Sequence, residues 1–156
     1  MQSRACCIAA IVLWIAGITA LGWMFVTGRT APGPDGRTEI LLAPSERDYV
    51  LAEMRQLLKA VHGVVTAVGD PAKGMQEAEQ AARAAGMKMA ADADPVIMMK
   101  LPLAFKQMGM SIHADMDALA DAVVQNETPQ QILRRLSGMT ARCTTCHDLY
   151  RFSVTR

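Results

Sequence analysis

The residues of this chain with the most specific chemistry lie close to its C-terminus. Cys143, Cys146 and His147 form the pattern Cys-x-x-Cys-His. On a helix, two cysteines three residues apart lie on one face, and the histidine directly after them can be aimed at a metal ion. This is the attachment pattern of haem c, in which each thiol bonds a vinyl-derived carbon of the porphyrin and the imidazole binds the iron. The sequence therefore predicts one covalently bound haem on Cys143 and Cys146, with His147 as an iron ligand.

Other uses of this cysteine pair are disfavoured by what surrounds it. A structural zinc site needs a second pair of ligands, whereas His62 and His113 are isolated on other predicted helices. A thioredoxin-type dithiol needs a βαβ setting, which the helical pattern of this chain does not supply. No nucleophile and base pair or carboxylate pair indicates an independent enzyme. The chain is therefore not expected to be an enzyme by itself.

Around the motif, the sequence resembles the class II c-type cytochromes, which include cytochrome c′ and its six-coordinate relatives. The residues that carry the resemblance follow the order Cys-x-x-Cys-His-x-x-Tyr-Arg near the end of a fourth helix: Cys143, Cys146, His147, Tyr150 and Arg151. Over about residues 45–152 it rests on the number and order of helices. It implies a four-helix bundle with haem between its helices, haem contacts from Tyr150 and Arg151, and electron transfer or gas binding as the activity.

The sixth position on the iron decides between these two activities. In the class II cytochromes this position faces the first helix, where this chain places Met54 in an apolar stripe. Methionine opposite histidine favours reversible electron transfer at a raised potential, so Met54 is the predicted ligand. The alternatives are that Met54 only fills the core, that His113 or His62 binds the iron, or that the position is vacant and binds nitric oxide or carbon monoxide.

Basic side chains near the motif are candidates to pair with the haem propionates, because a guanidinium group matches a carboxylate in shape and charge. Arg151 is the first candidate. Arg55 is a weaker one, and it would otherwise belong to a solvated helix face.

The elements that position these residues are predicted to be helices. Aromatic residues make up only 4% of the chain, and Ala, Met, Leu, Gln, Glu and Lys, which lose little entropy in a helix, dominate. Apolar residues recur at spacings of three and four in segments that begin near Glu46, Asp70-Pro71, Pro102 and Thr128-Pro129. The second segment is predicted to run to about Ala91, after which Asp94 and Pro95 break the chain. The predicted fold class is all-α, with an N-terminal transmembrane helix followed by an antiparallel four-helix bundle.

The N-terminal segment is predicted to anchor the chain in a membrane. Residues 5–28 contain no charged side chain, and as a helix they would reach about 36 Å, against a hydrocarbon core of about 30 Å. A cleaved signal sequence is the alternative. Trp14, Trp23 and Phe25 are bulky where a cleavage region needs small residues, so an uncleaved anchor is favoured.

Three parts of the chain follow from these patterns. Residues 1–28 form the anchor, and residues 45–156 form the haem domain. Residues 29–44 are rich in proline and glycine and are predicted to be a flexible tether, which would hold the domain on the order of 20–25 Å from the membrane.

Charge limits the partners of the domain. All of the 16 Lys and Arg residues except Arg4 follow residue 28, where they are balanced by 15 Asp and Glu, so nucleic acid is not an expected partner.

The charges flanking the span leave its orientation open. The cytochrome resemblance implies haem attachment after export, hence a single-pass protein of the bacterial cytoplasmic membrane with its haem domain in the periplasm. The expected partners are periplasmic or membrane redox proteins. A role as haem subunit of a larger membrane complex, and the oligomeric state, stay open.

Overall fold

The computed structural model describes residues 2–70 and 74–155. Within them the chain is mostly helical, in the order α1, two strands, α2 to α7, and a last strand. The helices are α1 (Gln2–Thr27), α2 (Pro44–Gly69), α3 (Gly74–Arg83), α4 (Met87–Ala91), α5 (Pro95–Lys100), α6 (Leu103–Val124) and α7 (Pro129–Leu149). The strands are β1 (Thr30–Pro32), β2 (Thr38–Leu42) and β3 (Tyr150–Val154).

The helix starts have identifiable caps. The side chain of Thr128 accepts a hydrogen bond from the Gln131 N–H, and the Gln131 side chain accepts one from the Thr128 N–H. These reciprocal bonds satisfy two backbone donors where α7 begins. At α2 the Glu46 carboxylate accepts from the Ala43 N–H at 2.8 Å, so this helix begins at Pro44 rather than near Glu46 as predicted.

The second predicted helix is interrupted in the structure. Its expected first-turn proline, Pro71, lies outside the described residues. The helix was predicted to continue to about residue 91, but α3 ends at Arg83 and α4 starts after Gly86. The Asp117 carboxylate of α6 lies where a Cβ of Gly86 would be, and it accepts a hydrogen bond from the Met87 N–H at 2.8 Å. Asp117 therefore caps α4, and the missing side chain of Gly86 makes room for it.

Helix α5 was not predicted, because its Asp-Pro start was interpreted only as a break. The Asp94 side chain accepts from the Val96 N–H at 2.7 Å, and Pro95 occupies the first turn. An N-cap followed by proline is itself a helix start signal. The chain between α4 and α6 is therefore a short helix and not a plain turn.

Two apolar clusters make up the core. The larger one gathers small and aliphatic side chains of α2, α3, α6 and α7, among them Val64, Ala82, Met116 and Ile132. The smaller one joins β2, the start of α2, α5 and Phe105 of α6. The mostly helical prediction is confirmed, whereas the antiparallel four-helix bundle stays a prediction.

A three-stranded sheet departs from the predicted all-α fold. β1 pairs with β2 in antiparallel fashion, and β2 pairs with β3 in parallel, with Thr38 opposite Tyr150 and Ile40 opposite Phe152. The residues that were predicted to be a flexible tether therefore contain two strands. β2 is a run of Thr, Ile and Leu with one Glu, and its partner follows the cysteine motif more than 100 residues later. Strand pairing, which the local proline and glycine content does not reveal, orders this segment.

Helix α1 is long and apolar enough to cross a membrane. Its stretch Cys6–Thr27 has a mean hydropathy of 2.2, and none of it is buried by the rest of the chain. A signal sequence has the same properties, so the structure is compatible with a single-pass anchor or with a signal.

The end of α1 is docked onto the domain. Gly28 has a φ of +64°, and the Arg29 N–H donates to the Lys100 carbonyl at 2.7 Å. The Lys106 ammonium donates to the Phe25 carbonyl at 2.9 Å and lies 3.5 Å from the centre of the Phe25 ring. These contacts, together with β1, replace a free tether by a defined junction.

Replacement of Gly28 by alanine should destabilise this junction. A Cβ there would lie 2.5 Å from the Lys100 carbonyl oxygen, and the positive φ disfavours any side chain. We expect a loss of about 1–3 kcal/mol in the free energy of unfolding, measured by thermal circular dichroism in detergent micelles. The control is Gly138→Ala, where no atom lies within 4 Å of the new Cβ. That variant should be as stable as the parent or more stable, and equal stability of both variants would contradict the docking.

Candidate functional site

Helix α7 carries the cysteine motif in its last two turns. Cys143 and Cys146 are half-buried on one face, Cys143 against the larger apolar cluster and Cys146 against the smaller one. The Tyr150 N–H donates to the Cys146 carbonyl where the helix ends, and β3 continues from there. The motif therefore lies where the two clusters meet.

A cleft of about 320 Å³ opens beside this end of α7. It brings together five of the six predicted site residues: Met54, Cys146, His147, Tyr150 and Arg151. The sixth, Cys143, lies one turn back on α7 outside the lining. The remaining lining residues are Arg37, Arg47, Leu51, Phe105 and Phe152. Residues far apart in the sequence thus converge on the cysteine motif.

Aromatic rings form one side of the cleft. The centre of the Phe105 ring is 5.4 Å from the centre of the Tyr150 ring and 5.7 Å from that of Phe152. The interplanar angles are 84° and 75°, respectively. Such edge-to-face contacts are favourable and fix the rings relative to one another. Tyr150 and Phe152 reach the same ring because alternate residues of a strand share a face. Sequence reasoning missed Phe105 and Phe152 as site residues.

Arginine side chains form the opposite, polar edge of the cleft. Arg37 pairs with Asp35 at 2.7 Å and donates to the His147 carbonyl at 3.2 Å. Arg151 lies 3.3 Å from the Asp35 carboxylate and 3.5 Å from that of Glu39. Arg47 is 3.9 Å from the exposed Asp48, which is a weak pair.

Two of these arginines were not predicted. Arg37 reaches the cleft through the β2 to β3 pairing, and Arg47 through the first turn of α2, neither of which has a local sequence signal. Arg151 lines the cleft, and its pairing with a haem propionate stays a prediction. Arg55 is exposed and lies outside the lining, so the structure gives no support to its pairing with a propionate there.

The predicted candidates for the sixth iron position are separated by the structure. Met54 is partly buried in the smaller cluster and lines the same cleft as His147. His62 is exposed in a groove between α2 and α3. His113 is buried, its Nδ1 lies 2.8 Å from the Ala85 carbonyl oxygen, and it lines a separate cavity. The structure brings Met54, and neither of these histidines, to the cleft.

Burial controls the protonation of the motif thiols. It raises the pKa of Cys143 and of Cys146 above the ordinary thiol value, and for Cys146 the neighbouring Cys143 adds to the effect. Both side chains are free thiols in the structure. They are therefore protonated at neutral pH, and each thiol would have to lose its proton to bind a metal ion as a thiolate. Among the described residues, no group of three or more His, Cys, Asp or Glu side chains is placed to hold a metal ion.

No protein-family model, curated protein or solved structure matches the chain. A functional assignment therefore has to be based on the residues themselves. The resemblance to class II cytochromes stays a prediction that rests on the motif residues quoted above.

The ion pairs at the polar edge predict that the Asp35 carboxyl group has an unusually low pKa. The Arg37 guanidinium, which donates to the Asp35 carboxylate, lowers the pKa of that group from 3.8 to about 2. Because the folded pKa is the lower one, this pairing stabilises the fold above pH 3.8, and the contribution is lost as the pH falls through about 2. Arg37→Gln should raise the Asp35 pKa towards 3.8, observed in the carboxyl carbon resonance. Arg47→Gln should leave it unchanged, and a midpoint near 3.8 in the parent protein would refute the pairing.

Proposed function

We propose that this chain is a membrane-anchored c-type cytochrome that carries single electrons through one covalently bound haem. The observation that carries the proposal is the cleft beside Cys146 and His147, which combines a thioether side chain, an aromatic wall and an arginine edge. These groups complement the iron, the ring and the propionates of haem, in that order. When bound, the haem iron supplies the one-electron couple.

The motif thiols would hold the group covalently. Each S–H adds across one vinyl group, which forms a carbon–sulfur and a carbon–hydrogen bond and needs no oxidant. Cys143 and Cys146 suit this chemistry because they are half-buried and lie on one helix face. His147 would then bind the iron, and its carbonyl is already held by the Arg37 guanidinium. This contact holds the backbone of His147 at the end of α7.

Met54 is the proposed ligand on the other side of the iron. It lines the cleft together with His147, and Leu51, one turn earlier on α2, lines it too. A thioether opposite an imidazole favours electron transfer over gas binding.

The arginine edge would neutralise the propionates. Arg47 is the most available of the three, because its described ion pair with Asp48 is long and exposed. Arg37 and Arg151 share Asp35, which holds both guanidinium groups in place before any ligand binds. A planar, always charged guanidinium is suited to carboxylates in a partly buried site.

The location follows from the anchor and from haem attachment. α1 would cross the cytoplasmic membrane of a bacterium with its N-terminus inside, and the domain would lie in the periplasm. α2, α3, α6 and α7 share one apolar cluster, which supports a four-helix bundle as the haem domain. The partners would be periplasmic or membrane redox proteins.

Covalent attachment is tested by denaturing electrophoresis with peroxidase staining, after expression with haem attachment and export. The parent should keep haem on the polypeptide, and a Cys143→Ser/Cys146→Ser double variant should lose it completely. The matched control is the Cys6→Ser/Cys7→Ser double variant, which removes the two exposed cysteines of α1 and should stain like the parent. An unstained parent would disprove the proposal.

The role of Met54 is tested by optical spectra of the oxidised and reduced protein. The parent should be low-spin and resist carbon monoxide. Met54→Ala should convert most of the ferric protein to high spin and allow carbon monoxide to bind, because the sixth position is opened. Met98→Ala is the control, since Met98 belongs to the same apolar cluster but lies outside the cleft. A parent that is already high-spin and binds carbon monoxide would make Met54 a packing residue and the chain a gas binder.

A further inference from the structure

We propose that the exposed apolar face of α5, formed by Val96 and Met99, rests on the lipid surface beside the end of α1. This contact would fix the domain in one orientation against the membrane. The inference rests on α1 crossing a membrane and is independent of haem.

α5 has one buried and one exposed apolar face. Ile97 and Leu101 are each 5% exposed and belong to the smaller cluster. Val96 is 61% exposed and Met99 is 37% exposed. Residues three apart share a helix face, so Val96 and Met99 form a continuous apolar surface. The described chain leaves Val96 mostly open and Met99 partly open.

The position of α5 in the fold says what covers this face. The Arg29 N–H donates to the carbonyl of Lys100, the last residue of α5, and Gly28 packs directly on the backbone there. Lys100 therefore lies next to Gly28, the residue directly after Thr27, where the apolar stretch of α1 ends. Val96 is four residues from Lys100, or about 6 Å along the helix axis. The headgroup layer on each side of a bilayer is about as thick, so the face of α5 falls within it.

The contacts of Lys106 support the same depth in the membrane interface for the start of α6. Its ammonium reaches the Phe25 carbonyl inside the apolar stretch of α1, and its side chain is only 7% exposed. The burial lowers the pKa of Lys106. Trp23 is 72% exposed one turn before the end of α1, where aromatic residues mark the membrane interface. The start of α6, α5 and the end of α1 thus lie at one level, and the apolar face of α5 continues the apolar surface of α1.

The contact is tested by photo-crosslinking in nanodiscs of phosphatidylcholine and phosphatidylglycerol, with the full chain. p-Benzoylphenylalanine replaces Val96, and intact mass spectrometry detects the lipid adduct. Position 13 is the positive control, because Leu13 is 73% exposed in the middle of α1. Position 133 is the matched negative control: Leu133 is 42% exposed in the first turns of α7, the helix that starts after the far end of α6, and α6 is about 33 Å long.

We expect lipid adducts at positions 96 and 13 and none at position 133. An adduct at 13 without one at 96 overturns the inference, as does an equal yield at 96 and 133. A crosslinked dimer at 96 overturns it in favour of a second copy of this chain. No adduct at 13 shows that α1 is not in the bilayer, which removes the premise. If the Val96 variant does not fold, as judged by circular dichroism, the same replacement is made at Met99 and the lipid adduct is measured there.

Discussion

The parallel pairing of β2 with β3 is the constraint on which the rest of the site depends. Its register sets Thr38 opposite Tyr150 and Glu39 opposite Arg151. The chain that leaves α1 is thereby fixed to the chain that leaves the cysteine motif. Only this pairing brings Arg37 within reach of the His147 carbonyl and places Phe152 against Phe105. The cleft is therefore a consequence of a sheet of short strands, although nearly all its scaffold is helical.

Two adjacent residues of α6 connect this cleft with α1. Phe105 contacts the rings of Tyr150 and Phe152 in the wall of the cleft, while Lys106 binds the carbonyl and ring of Phe25 in α1. Neighbouring helix residues point in directions about 100° apart, so one turn of α6 serves both sides. The α1 junction and the wall of the cleft therefore share one turn of α6.

The sequence predicted what is local and missed what is distant. Helical periodicity placed α2, α6 and α7 within a few residues, and Met54, which the periodicity put on the apolar face of α2, lines the cleft. The sheet was missed because its strands are three to five residues long and the partner of β2 lies at the other end of the chain. The break at Gly86 was missed for a related reason, since the carboxylate that caps α4 comes from Asp117 on another helix. Local patterns carry no record of such partners.

The docked junction changes what an electron carrier of this kind could do. A flexible tether of residues 29–44 would let the domain sample a radius on the order of 20–25 Å, which suits a carrier that reaches towards dispersed partners. The bonds from Arg29 to Lys100 and from Lys106 to Phe25 remove that freedom. A domain that is fixed to the end of α1 presents its cleft at a fixed distance from that end. If the chain carries electrons as proposed, the partner therefore has to reach the cleft at that place, whereas a flexible tether would let the cleft move towards the partner.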